Sequence, residues 1–396
     1  MQELPLETKL LFYLSTIPMT QSCLTAVDDM LQTSVDWEAF YARAMKNRVY
    51  PIVYRNIKDH LFIVDEQVVK RIEAAVIKNQ LRALILTQEL IRVAGSLEQE
   101  GIKVMVLKGA PLSRSLYHDI SLRASRDLDI LVAPNDIDKA DSLLSKLEFV
   151  KDDINKDLTV KQTRLIRKRF HHFSYTNTSG INLELHWRLS SDYIVSFKEL
   201  WSSNIEVELY GSKINVLSYE QNLLYLILHG SKHGWKRTRW LTDIYDMIRA
   251  NSLNWVYIRN RAEEFGILHL VEQTFILLRV IYQYQPQTDL NLSKKDRDIA
   301  QRLAKLSFLF MNSMEEEPEQ HGHSLFGAYK EYILIWHKGI GRKIIYIAGH
   351  FIPTVEDFRN KRIPDRYFGL YYPLRIIKIL CSIIKQFSSK NQGMWK

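Results

Sequence analysis

Only two cysteines occur in 396 residues, Cys23 near one end and Cys381 near the other. A disulfide framework and a four-cysteine zinc site are therefore excluded, and a reducing compartment suits the chain better than an oxidising one. Glycine (15) and proline (10) are also scarce. That excludes collagen-like and low-complexity sequence and favours long helices with short connections. No uninterrupted apolar run reaches the roughly 18–20 residues that span a bilayer. The nearest, YILIWHKGIGRKIIYIAGHF, is cut by HKGIGRK. The opening MQELPLETKLLFYLS lacks the basic, apolar and small-residue succession of a secretion signal and reads as an amphipathic helix. Internal repeats are absent. The expectation from these absences is a soluble, cytoplasmic protein.

What is present is ordinary globular composition, 46% hydrophobic and 25% charged, enriched in aromatics (20 Tyr, 16 Phe, 8 Trp). The length allows one large domain or two to three smaller ones. Lys and Arg (54) outnumber Asp and Glu (45), a formal net charge of +9. Such an excess suits an anionic partner: a nucleotide, a nucleic acid, a phosphorylated substrate or a membrane surface. A solvated basic surface gives the same arithmetic, so charge alone selects none of them.

Periodicity divides the chain. Residues 1–100 read as helical, with Leu6, Leu10, Leu11 and Leu14 on one face, a break at Asn47–Pro51, and a long 3.6-residue pattern from Asp65 to Leu97. Residues 101–217 change character. GIKVMVLKG and DLDILVAP are strand-like, with a helix between them at APLSRSLYHDI and another over about Asn135–Leu147. NKDLTVKQTRLIRKR is a basic, polar segment. FHHFSYT and INLELHW are further strands, and IEVELYGSKINVL is a hairpin turning at Tyr210-Gly211-Ser212. The helical period returns over 218–310, and a basic helical region occupies 311–396. The fold class is α+β, helix-dominated: a small mixed sheet flanked by helices, with helical blocks at both ends.

The chemistry-bearing signal is DLDIL. Side chains alternate along a strand, so Asp127 and Asp129 share one face while Leu128 and Ile130 face the core. Two carboxylates there call for a cation, and Mg²⁺ (or Mn²⁺) accepts such ligands together with substrate phosphates. Glu184, between Leu183 and Leu185, supplies a third carboxylate, with His186 on its own face. Upstream, Lys108 and Gly109 lie between a strand and a helix start, where free N–H groups favour phosphate. The spacing is not that of a Walker A loop. His229 and His233 stand i, i+4 without the glutamate of a zinc-protease helix, and Asp243 follows. They are read as cleft residues. His186 is either a hydrogen-bonded core histidine or a substrate contact, and His171 and His172 close the basic run.

LKGAPLSRSLY, RASRDLDILV, LELHWRL and HGSKHGWKRTRWLTDIYDM, in this order, resemble the uncharacterised nucleotidyltransferase-like family of bacteria, within the DNA polymerase β-type superfamily. The likeness spans roughly residues 30–310. It implies a nucleotidyltransferase fold with metal at Asp127, Asp129 and Glu184, a phosphate-loop glycine at Gly109, and basic contacts from Lys108 and Arg123. The superfamily's Gly-Ser is Gly109-Ala110 here, so the missing hydroxyl would have to come from Ser113, or its role from Lys108.

The implied reaction is transfer of a nucleotidyl group from an NTP to a hydroxyl or phosphate on a small molecule, peptide or protein. One alternative keeps the fold and metals but moves a glycosyl group from a nucleotide-sugar to a peptide, phosphorylated or not, or to another natural-product acceptor. Another is a non-catalytic nucleotide- or protein-binding module. Nucleic acid is not an expected partner, because no interleaved aromatic–basic motif occurs. The wide apolar arc of LRIIKILCSIIKQF is expected to pack into a core or a partner subunit, with peripheral membrane contact not favoured.

Overall fold

The computed structural model describes residues 4–152, 157–191, 193–286, 288–314 and 324–392, with the side chains after residue 381 left out of the description. Five helices open the chain: α1 (Leu6–Tyr13), α2 (Gln21–Leu31), α3 (Trp37–Asn47), α4 (Tyr50–Asp59) and α5 (Glu66–Gln99). The break at Asn47–Pro51 is visible as Arg48 in the left-handed region, followed by Pro51 in the first turn of α4. Asp65 opens α5 by accepting a hydrogen bond from the Val68 amide at 2.9 Å. At 34 residues α5 is long enough to join two cores. Its first half packs Val68, Ile72 and Val76 among the N-terminal helices, and its second half packs Leu86, Leu90, Val93 and Leu97 under the sheet.

Seven strands and four helices follow: β1 (Val104–Val106), α6 (Ala110–Tyr117), β2 (Asp127–Val132), α7 (Ile137–Lys146), β3 (Phe149–Lys151), α8 (Val160–Arg169), β4 (His172–Asn177), β5 (Asn182–His186), α9 (Phe197–Ser202), β6 (Ile205–Leu209) and β7 (Ser212–Val216). They form one mixed sheet in the order β3-β4-β5-β2-β1-β7-β6. β2 runs antiparallel to β1 and parallel to β5. The β6–β7 hairpin turns at Tyr210 and Gly211, both at positive φ, the geometry that follows the strand twist. The run NKDLTVKQTRLIRKR is not simply a polar connection. Its second half is α8, opened by a reciprocal cap between Thr159 and Gln162. Only Gln162 and Ile166 of α8 are buried, which leaves little apolar period to read. β3 and α9, at three and six residues, are too short to show a period.

The sheet separates two cores by alternation. Val104, Val106, Leu128, Ile130 and Val132 point toward α5 and α7. Met105 and Leu131 point the other way, into a helical block. That block comprises α10 (Tyr219–Lys232), α11 (Thr238–Ala250), α12 (Trp255–Glu264), α13 (Leu268–Tyr282), α14 (Lys294–Asn312) and α15 (Phe326–Trp336). The chain then runs through α16 (Ile340–Gly349), α17 (Val355–Asn360) and α18 (Tyr371–Gln392). Tyr371 packs under the sheet with Phe358, but Ile376, Ile377 and Leu380 of α18 are exposed. These residues of the LRIIKILCSIIKQF arc do not enter a core of this chain. Its later residues, Ser382 to Phe387, lie outside the described side chains. Among the described residues no helix is long and apolar enough to cross a membrane.

Candidate active site

Strand pairing builds the acidic wall. In the β2–β5 register Asp129 stands opposite Glu184, and Asp127 lies two residues back on the same face. That face is the one Leu131 shares, so the carboxylates look toward the helical block. β4 extends the face, because His172 pairs with His186 and Ser174 with Glu184.

His186 Nε2 lies 3.3 Å from Asp129 Oδ1 and 3.1 Å from Glu184 Oε2, and between two carboxylates it donates its proton to them. Burial pushes this imidazole down, but the hydrogen bonds to Asp129 and Glu184 outweigh it and raise its pKa. His186 therefore stands behind the acids as their hydrogen-bond partner. On the other side, Lys108 Nζ is 3.5 Å from Asp129 Oδ1. Burial works to raise Asp129, yet Lys108 and His186 hold it well below the ordinary carboxylate range. Glu184 is lowered too, its burial overridden by the His186 hydrogen bond. Asp127 is raised, first by burial and then by the charge on Asp129. A low carboxylate and a high one side by side mark a place where added positive charge is favourable.

The turn after β1 brings Lys108 here. Gly109 has φ +75° and ψ −139°, a conformation that side chains disfavour, and Pro111 sits in the first turn of α6. A Cβ at Gly109 would stand 4.0 Å from Ser125 Oγ, which faces Asp127. Ser113 does not reach this space. It is fully buried, donates to the Asp119 carbonyl at 2.6 Å and accepts from the Arg123 amide at 3.0 Å. Its hydroxyl fixes the backbone of Arg123 instead of replacing the missing phosphate-loop serine.

Arg123 is held from across the chain. Its Nε donates to Asp243 Oδ2 at 2.9 Å, with the two side chains 2% and 0% exposed. Asp243 is thus the partner of Arg123. Among the described residues neither it nor His229 nor His233 joins a three-residue group able to hold a metal. The groups found are Asp129, Glu184 and His186, and beside them His171, His172 and His186. Burial and neighbouring cations keep His229 neutral, and burial with His186 lowers His172 to about 4.

These elements enclose a cleft of about 260 Å³. Lys108, Arg123, Asp127, Asp129, Glu184, His229 and His233 all line it, whereas Gly109, Ser113, His186 and Asp243 lie just outside its lining. Its remaining walls are residues the sequence reading did not single out: Arg48, Ser125, Lys236, Arg237, Arg239 and Trp240. Four of them fall in WKRTRW, directly after the two histidines, and the density of cations there was the available signal. Arg48 had none, because it arrives from the end of α3. Arg239 is 6% exposed, donates through Nη1 to the Ala124 carbonyl, and has a buried Nε without a hydrogen-bond partner. Burial and the adjacent Arg123 push its pKa down to about 9. An incoming anion would relieve both costs.

Comparison with known proteins gives a family match. The profile of a family described as uncharacterised nucleotidyltransferase matches residues 33–283. No curated protein matches. Among solved structures, the chain is similar to an antigenic nucleotidyltransferase-like protein from Paracoccidioides brasiliensis, at 15% identity and a TM-score of 0.32. That match covers 51% of this chain and 94% of the other.

Proposed function

Since the chain belongs to the family of uncharacterised nucleotidyltransferases, we propose that the cleft transfers a nucleotidyl group from a nucleoside triphosphate to a hydroxyl or phosphate acceptor. The observation that carries this reading is the meeting of two unlike sets of side chains. Asp127, Asp129 and Glu184 form one, with Lys108 3.5 Å from Asp129, and Arg123 and Arg239 add their cations to the same small cleft.

The carboxylates fit a divalent cation. They are oxygen donors on one face, Asp129 and Glu184 are in register, and Asp127, raised first by burial and then by the charge on Asp129, would be favoured in its ionised form by a cation. Asp127, Asp129 and Glu184 would hold Mg²⁺ or Mn²⁺, with His186 hydrogen-bonded to two of them and fixing their orientation. When bound, the ion supplies charge that polarises the α-phosphate and lowers the pKa of the acceptor hydroxyl.

The protein's own groups do the rest. Arg123, Arg239 and Lys108 bind and neutralise the phosphates that depart as pyrophosphate. Arg123 is preorganised, because Ser113 fixes its backbone and Asp243 its guanidinium. The acceptor oxygen forms a bond to the α-phosphorus as the bond to the β-phosphate bridging oxygen breaks. Glu184, ionised at neutral pH and partly exposed, would receive the acceptor's proton.

Calorimetric titration with ATP, GTP, CTP, UTP and UDP-sugars, with and without Mg²⁺, tests this reading. The wild type should bind an NTP in a Mg²⁺-dependent manner, and Asp127→Asn/Asp129→Asn should lose at least about tenfold in affinity when both proteins are compared below their melting transitions. Equal binding by the double variant, or no NTP binding at all, refutes the proposal. Binding confined to nucleotide-sugars replaces nucleotidyl with glycosyl transfer.

A further inference from the structure

The whole net charge of the protein is in its last segment. Residues 338–396 hold twelve Lys and Arg against three Asp and Glu, a net +9, while residues 1–337 carry 42 of each sign. The basic excess is therefore not a property of the cleft, whose cations are balanced within the remainder of the chain. It is confined to about one-seventh of the sequence.

The same segment exposes apolar side chains in helical register. No residue of α16 is buried. Ile340, Ile344 and Ile347 recur at i, i+4 and i+7, a single stripe, with Ile345 beside it at 73% exposure and Phe351 exposed in the turn that follows the helix. On α18, Tyr372, Ile376 and Leu380 recur every four residues and are exposed, with Ile377 alongside. Arg375 Nε donates to the His350 carbonyl at 3.1 Å, so the end of α16 meets α18. Of the 26 large hydrophobic residues exposed among the described residues, 11 lie between Ile340 and Leu380. The same segment carries the exposed cations Arg342, Arg359, Lys361, Arg362 and Arg366.

We propose that this segment is a docking surface for an anionic lipid bilayer, with the isoleucine stripes of α16 and α18 entering the headgroup–acyl boundary and the cations meeting the lipid phosphates. Two features select this occupant. Apolar stripes beside Lys and Arg match an interfacial helix, and no described helix can span the membrane. A second copy of the chain fits poorly, because a symmetric contact would bring two +9 segments together. A nucleic acid would satisfy the cations but leave the isoleucines in water. The proposal does not depend on the reaction assigned to the cleft.

Flotation of the full-length protein with vesicles tests it. Binding is expected to phosphatidylcholine vesicles containing phosphatidylglycerol and to be much weaker with phosphatidylcholine alone, falling as salt rises. Ile344→Glu/Ile345→Glu should weaken vesicle binding by on the order of tenfold per residue, with an unchanged melting temperature because neither side chain is buried. Arg359→Glu/Lys361→Glu/Arg362→Glu should abolish the preference for anionic lipid. The inference is overturned if the wild type floats with neither vesicle, or if Ile344→Glu/Ile345→Glu binds as well as the wild type. It is equally overturned if the isoleucine pair proves to be needed for a dimer, seen by light scattering, and not for vesicle binding. RNA binding that survives loss of the isoleucines, without flotation, overturns it as well.

Discussion

Asp243→Ala should be among the most damaging single changes in the cleft region, through stability before chemistry. Asp243 is fully buried on α11, and its Oδ2 accepts from the Arg123 guanidinium at 2.9 Å. Arg123 is itself 2% exposed, and its buried neighbour Arg239 is also attracted by Asp243. Removing the carboxylate leaves two guanidinium groups side by side in a region of low dielectric. Loss of one partner from a buried ion pair typically costs about 3–5 kcal/mol, a large share of the 5–15 kcal/mol that stabilises most domains. The same reasoning requires that removing both charges costs much less, because the penalty is the unpaired cation and not the missing bond. Urea unfolding followed by tryptophan fluorescence should show a midpoint well below wild type for Asp243→Ala. Arg123→Met/Asp243→Leu should recover most of that loss and fall clearly short of the sum of its two single variants. If Asp243→Ala unfolds within about 0.5 kcal/mol of the wild type, or the double variant equals the sum, the pair is not energetically coupled and the reasoning fails.

Other outcomes follow from single contacts. Gly230→Ala places a Cβ 2.5 Å from the ring of Trp235, which is fully buried, so overpacking of about 1–3 kcal/mol should outweigh the helical preference for alanine. A lowered melting temperature checks it. Burial lowers His269 from 6.5 to about 4, so its neutral form contributes stability above pH 6.5 that is lost as pH falls through 4. The difference amounts to about 3 kcal/mol. His269→Gln, which can retain the 3.0 Å contact to the Trp336 carbonyl without titrating, should flatten the fall in urea midpoint between pH 7 and pH 4. Arg239→Gln should weaken NTP binding by about 10- to 100-fold, as loss of a buried charge-assisted contact does, whereas a purely structural Arg239 would leave the affinity unchanged in calorimetry.

Local periodicity made much of this protein legible. Alternation in DLDIL put Asp127 and Asp129 on one face and Leu128 and Ile130 in the core, because a strand's side chains alternate whatever it pairs with. The long helix after Asp65, the hairpin at Tyr210-Gly211 and the strand–glycine–helix turn at Gly109 follow from equally local rules. The sevenfold sheet order did not, and neither did α8, whose exposed basic residues left almost no apolar period.

What only the tertiary structure decided are the relations between distant segments. Asp129 faces Glu184 because β2 and β5 pair in parallel with that register, and a shift by one residue would have turned Glu184 to the other side. Ser113 looked available for phosphate until the fold placed Asp119 and the Arg123 amide against it. Arg123 meets Asp243 across 120 positions, and Arg48 and Arg239 reach the cleft from helices on either side of the sheet domain in sequence. Residue type and period determine which face a side chain occupies, since both are set by the backbone within a few residues. Which face lies opposite is set by chain packing over hundreds of residues, and it is this meeting of acids and cations that makes the cleft.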